Sequence, residues 1–188
     1  MKVATILGSP RRDSASTVIA EKVVTGLGPG VSEKKFVLNE MNVRGCQGCG
    51  SCKGKTETCV LTDDMIKVLG AAADCDLLIL TSPIYIGEIT GQAKLFVDRT
   101  YSWFKPDFIL NAHASRLAPG KKAILLFTQG NPEKDFYLKT VHANYAAYFG
   151  NHGFKVLDHP AHVPADPKGA AEAVGAHARD ILDRLVTL

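Results

Sequence analysis

Short runs of consecutive apolar residues alternate along the chain with longer segments whose apolar residues recur every three or four positions. "KVATILGS" (2–9) is the first such run, and "STVIAEKVVTGLG" (16–28) follows it with helical spacing and closing glycines. The pairing then repeats. "KKFVLNEMNV" (34–43) reads as a strand, and "TDDMIKVLGAAADC" (62–75) as a helix with Thr62 as N-cap and two aspartates in its first turn. "DLLILTSP" (76–83) is a continuous apolar run, as expected of a central parallel strand covered on both faces. "TGQAKLFVDRTYSW" (90–103) reads as a helix with Lys94 and Asp98 one turn apart. "KKAILLFTQG" (121–130) and "GFKVLDHPAHV" (153–163) are the last two strands, each followed by a helix, over 132–150 and 167–188. Strand and helix in alternation predict an α/β fold, a doubly wound five-stranded parallel sheet with helices on both faces. The expected strand order is 2-1-3-4-5, with ligands beyond the carboxyl ends of the strands near the switch between strands 1 and 3.

Composition narrows the function without choosing it. With 188 residues, 46% hydrophobic and 22% charged, the chain suits a single globular domain over 1–188. A net charge of +3, scattered along the chain, gives no nucleic-acid footprint. No apolar run approaches the ~20 residues that span a membrane. "MKVATILGS" reads as a first strand rather than a secretion signal, so a cytoplasmic location is expected, where stable disulfides are rare. Cys75, beside an apolar strand, is expected in the core.

The switch point directs attention to three loops. Strand 1 runs into "GSPRRDSAST", which matches neither G-x-G-x-x-G nor a P-loop. It offers Ser9, Ser14, Ser16, Thr17, Arg11 and Arg12 around a helix start, where amides, hydroxyls and the dipole suit a phosphate dianion. A plain turn with a serine cap would read the same way. Strand 3 ends in "TSPIYIGEITGQAK", where Pro83 stiffens the turn and Tyr85 offers a flat ring beside the amides of Ile86 and Gly87. Strand 4 ends in "TQGNPEKD", with Thr128, Gln129 and Gly130 at the matching position. Each loop alone is an ordinary turn; the three together suit one mononucleotide with an aromatic head, FMN.

Four of the five cysteines fall within "GCQGCGSCKGKTETC" (45–59), at Cys46, Cys49, Cys52 and Cys59. The spacing C-x2-C-x2-C-x6-C suits a [4Fe–4S] cubane, three corners held by a tight glycine-rich turn and the fourth by the returning chain. Zinc bound by four thiolates, or a thiol loop without metal, remains open.

"GSPRRDSAST", "SPIYIGEITGQAKLFVDRT" and the cysteine segment with its trailing "DDM" resemble the flavodoxin-like NAD(P)H-dependent FMN reductase superfamily, and within it the iron–sulfur flavoprotein group. The resemblance is continuous to about residue 100 and then topological. It implies a flavodoxin-like fold, with the FMN phosphate at Ser9, Arg11, Ser16 and Thr17 and the isoalloxazine at Pro83, Ile84, Tyr85, Ile86 and Gly87. The group's glycine-rich segment after strand 4 is here "TQGNPEKD", a departure at Thr128, Gln129 and Gly130. An FMN-dependent oxidoreductase is implied, with NAD(P)H or ferredoxin as donor, a small-molecule or protein acceptor, and a homodimeric or homotetrameric assembly.

The six histidines form neither zincin motif and read as surface or satisfied groups. No G-x-S-x-G elbow supports a hydrolase. Trp103 and Phe104, in the aromatic stretch 100–110, are candidates for a subunit contact. The rival functions are a cluster-free NAD(P)H-dependent FMN or quinone reductase, a pure electron carrier, and a zinc-binding or thiol-based regulator.

Overall fold

The computed structural model describes residues 1–111, 114–133, 137–164 and 166–187. Five parallel strands form its centre: β1 (Lys2–Leu7), β2 (Ser32–Val37), β3 (Leu77–Tyr85), β5 (Lys122–Gln129) and β6 (Lys155–His162), with β4 (Glu88–Ile89) folded antiparallel onto the end of β3. The sheet order is β2-β1-β3-β5-β6, which is the expected 2-1-3-4-5 once the short β4 is set aside.

The period of two along each strand divides the core. Val3, Leu7, Leu77, Ile79, Ile124 and Leu126 face helices α1 (Ala15–Gly26) and α6 (Pro167–Thr187). Ala4, Ile6, Leu78, Leu80, Leu125 and Phe127 face α3 (Met65–Asp74), α4 (Gly91–Arg99) and α5 (Ala143–Asn151). The short α2 (Ser51–Gly54) lies within the cysteine segment. Cys75 is buried as expected, and burial pushes its thiol up to about 11. Among the described residues no helix is long and apolar enough to cross a membrane.

Several boundaries differ from the sequence reading. β2 stops at Val37, because its only partner, β1, ends opposite it at Leu7; Leu38–Glu40 then turns as a 3-10 helix that buries Leu38. β3 runs past Pro83 to Tyr85 and doubles back through Ile86 and Gly87 into β4. The helix expected over 90–103 is α4 followed by a 3-10 turn at Thr100–Trp103. Within the span 132–150, residues 134–136 lie outside the described residues, and α5 follows a π-helical turn at Leu138–His142. Leu188, the last residue of the final expected helix, also lies outside them.

One junction sets the switch point. Thr90 caps α4 by accepting from the Ala93 amide at 3.3 Å, and its hydroxyl donates to the Gly8 carbonyl at 2.6 Å. Gly8 is required there, since a Cβ would stand 2.7 Å from both the Ala93 Cβ and the Thr81 carbonyl oxygen. The exits of β1 and β3 are thereby fixed against each other.

Candidate functional site

The loop after β1 enters α1 at Ser14, whose hydroxyl accepts from the Thr17 amide at 3.3 Å. That hydroxyl is also the hub of a buried cluster, 3.1 Å from the Ser16 hydroxyl and 2.9 Å from that of Thr17. Ser9 is buried too, and its hydroxyl accepts from the Arg11 amide at 3.1 Å. Arg12 pairs instead with Glu40 at the surface.

The loop after β3 carries the one strained backbone position outside glycine among the described residues. Ile86 has φ +49° and Gly87 φ +79°, the tight turn that joins β3 to β4. A β-branched residue is poorly suited to that conformation, and Ile86 is fully exposed, so no packing compensates. Ile86→Gly is therefore expected to raise stability by about 1 kcal/mol, ~2–4 °C in Tm. A lower Tm in a thermal melt would show that the turn is not strained.

After β5, Gln129 is buried and donates through Nε2 to the carbonyls of Asn131 at 2.8 Å and Glu133 at 2.7 Å. Its Oε1 is buried and has no partner. The three loops meet at a cavity of about 760 Å³. Arg11, Pro83, Ile84, Tyr85, Thr128, Gln129 and Gly130 line it, whereas Ser9, Ser16, Thr17, Ile86 and Gly87 do not. Ser14, Lys22 and Val163 also line it. Ser14 carries an N-cap signal in the sequence, while Lys22 and Val163 carry none. The lining suits FMN: Ser14 at the N-terminus of α1 with Arg11 beside it, and Tyr85 as an aromatic wall, around a space of the size typical of cofactor sites.

The cysteine segment leaves the same carboxyl edge of the sheet. Cys46, Cys49, Cys52 and Cys59 are free thiols, and all four line one cavity of about 260 Å³. Gly48 and Gly50 turn the chain between them with φ +61° and +68°. The Ser51 amide and hydroxyl hold the Cys49 thiol below its usual range. As placed, no three His, Cys, Asp or Glu among the described residues form a metal-holding group.

The residues framing this loop were hidden in the sequence. Thr62 does not cap α3; Asp64 stands at the N-cap position, so both aspartates precede the first turn, and they also hold the chain that leads into the cysteines. Asp64 accepts from the Asn42 amide at 3.1 Å and Asp63 from the Arg44 amide at 2.9 Å, which fixes the entry to the cysteines. Asp63 also pairs with Arg99, whose Nε lies 3.1 Å from the Cys59 sulfur. Lys53 donates to the carbonyls of Tyr101 at 2.6 Å and Phe104 at 2.8 Å, and Arg116 to that of Cys52 at 3.2 Å. A further cleft of about 540 Å³ runs from Cys46 to Glu88, which accepts from the Tyr145 hydroxyl at 3.0 Å.

Two expectations need correction. Trp103 and Phe104 are buried, so neither offers a subunit contact from this chain's surface; Tyr101, Ile109 and Leu110 are the exposed apolar residues of that stretch. Phe104 instead stacks on His152 with ring centroids 3.9 Å apart. His152 itself is not a satisfied histidine: it is buried, neither ring nitrogen has a partner, and burial lowers its pKa to about 4. His159, by contrast, meets His177 at 3.0 Å. His113 lies outside the described residues.

Comparison with known proteins agrees with this geometry. A model of the NADPH-dependent FMN reductase family matches residues 1–156. An iron–sulfur flavoprotein of Archaeoglobus fulgidus is 35% identical over 100 residues, covering 53% of this chain and 45% of its own length. Another, from Methanocaldococcus jannaschii, is 32% identical over 101 residues, covering 53% of this chain and 52% of its own. The chain thus matches about half the length of these relatives. In fold it is similar to an NAD(P)H:quinone oxidoreductase from Methanothermobacter marburgensis, with a TM-score of 0.71 at 19% identity, covering 97% of this chain and 96% of the other. With the family model matched over most of its length, and the expected loops gathered at the switch point, the chain belongs to the NADPH-dependent FMN reductase family.

Proposed function

We propose that residues 1–188 act as one FMN-binding domain of a cytoplasmic oxidoreductase that takes electrons from NAD(P)H, or from ferredoxin, and hands them to a small-molecule or protein acceptor. The observation that carries the reading is the cavity lined together by the loops after β1, β3 and β5. In this reading the hydroxyls of Ser9, Ser16 and Thr17 turn with the α1 amides to bind the phosphate, and Arg11 neutralises it from the mouth. Pro83, Ile84 and Tyr85 wall the ring, the amides of Ile86 and Gly87 donate to its edge, and Thr128, Gln129 and Gly130 close the far side. Cys46, Cys49, Cys52 and Cys59 hold a [4Fe–4S] cluster, supported by their common cavity and by the names of the relatives. When bound, FMN exchanges a hydride, two electrons and a proton, and the cluster exchanges single electrons. Quinones are the favoured acceptor class by likeness to the Methanothermobacter protein, and the working assembly is a homodimer or homotetramer.

A second reading, the reductase without a cluster, is favoured by one observation: the thiols as placed do not form a metal-holding group. Both readings predict steady NAD(P)H oxidation by FMN-loaded protein given a quinone. Reduction by ferredoxin alone would make the chain a carrier instead. Failure to bind FMN would overturn both.

A further inference from the structure

The geometry points to Tyr145 as a positioning residue for the flavin ring, acting through Glu88 on the hairpin that carries the ring's expected contacts. The inference rests on the FMN reading of the cavity at the switch point. β4 is only two residues long, with Ile84 opposite Ile89 and Tyr85 opposite Glu88. So short a ladder is weak by itself. The turn that joins it to β3 works against it, since Ile86 holds φ +49° while fully exposed. Such a backbone persists only where contacts outside the turn fix it.

Two contacts do so. Ile89 is buried in the core that faces α3, α4 and α5. Beside it, Glu88 Oε1 accepts from the Ile89 amide at 2.8 Å and from the Tyr145 hydroxyl at 3.0 Å. Tyr145 is itself buried on α5, edge-on to Phe127 with ring centroids 5.7 Å apart. Burial, and then Glu88, raise the pKa of its phenol, so it remains a donor. One carboxylate oxygen thus ties the hairpin to α5. Tyr85, paired directly with Glu88, lines the cofactor cavity, so a shift of β4 is felt at the wall of that cavity.

The test is quenching of FMN fluorescence on titration with the full chain, with visible circular dichroism of the bound flavin and a thermal melt of each protein. Tyr145→Phe keeps the buried ring and removes only the donor. It is expected to weaken FMN binding about tenfold, the scale of one hydrogen bond, and to change the dichroism bands that report the ring's surroundings. Glu88→Ala is expected to weaken binding at least as much, and the double variant no more than Glu88→Ala alone, because both act through one contact. Glu88→Gln, which keeps an Oε1 acceptor, is expected to recover most of the affinity lost in Glu88→Ala. A lower melting midpoint with unchanged FMN affinity would make the pair merely structural and overturn the inference. Weaker binding with unchanged dichroism, full additivity in the double variant, or no recovery in Glu88→Gln would overturn it as well. In each of those cases the wild type still binds FMN and the FMN reading stands. A wild type that binds no FMN would overturn that reading and the inference with it.

Discussion

Asp63→Ala is expected to lower the free energy of unfolding by about 3–5 kcal/mol, because it leaves the Arg99 guanidinium buried without its counter-charge. The Arg44 amide loses its acceptor as well. A urea melt reads the loss as a lower midpoint with the slope unchanged. A change below about 1 kcal/mol would mean that water reaches the pair. The effect has a pH signature. Burial works against the Asp63 charge, but hydrogen bonds from Arg99 and the Arg44 amide outweigh it and hold the carboxyl below its usual range. A depressed folded pKa contributes stability that is complete above the ordinary aspartate value of about 3.9. That contribution disappears as pH falls through the lower folded value. The gap between wild type and variant is therefore expected to be widest near neutrality and to shrink in acid.

The second large effect is on cofactor retention. Ser9→Ala together with Thr17→Ala is expected to weaken FMN binding at least about a hundredfold, since each hydroxyl would supply a hydrogen bond to a dianion worth about 1.5–3 kcal/mol. Both hydroxyls are buried and local in their bonding, Ser9 with the Arg11 amide and Thr17 with Ser14, so the fold is expected to survive the double change. Quenching of FMN fluorescence on titration with protein measures it. Unchanged affinity would undo the assignment of the phosphate loop.

The sheet was legible in the sequence because its signals are local. Unbroken apolar runs at 76–83 and 121–130 mark strands covered on both faces, and their order follows from strand–helix alternation. The loops at the switch point were legible for the same reason, since topology alone brings the ends of β1, β3 and β5 together. What escaped depends on contacts between distant residues. Asp63 and Asp64 look like ordinary first-turn acids, yet their acceptors serve amides 19 and 22 residues earlier in the chain. Arg99 carries no mark in the sequence, and only the fold reveals that it is buried against Cys59, 40 residues away. Trp103 and Phe104 carry no periodicity that separates a core cluster from an exposed one, and the buried ring of His152 decides it. The Ile86–Gly87 turn lacks the Asn-Gly signature of such hairpins, so β4 had no sequence mark.

The most direct test of the account is an anaerobic purification followed by a visible spectrum and by flavin, iron and sulfide analysis of one sample. Resolved flavin bands over a broad absorption that bleaches on reduction, with about one FMN, four irons and four sulfides per chain, is the predicted result. A clean flavin spectrum without iron or sulfide would contradict it, and would leave Cys46, Cys49, Cys52 and Cys59 as a thiol loop beside an FMN reductase.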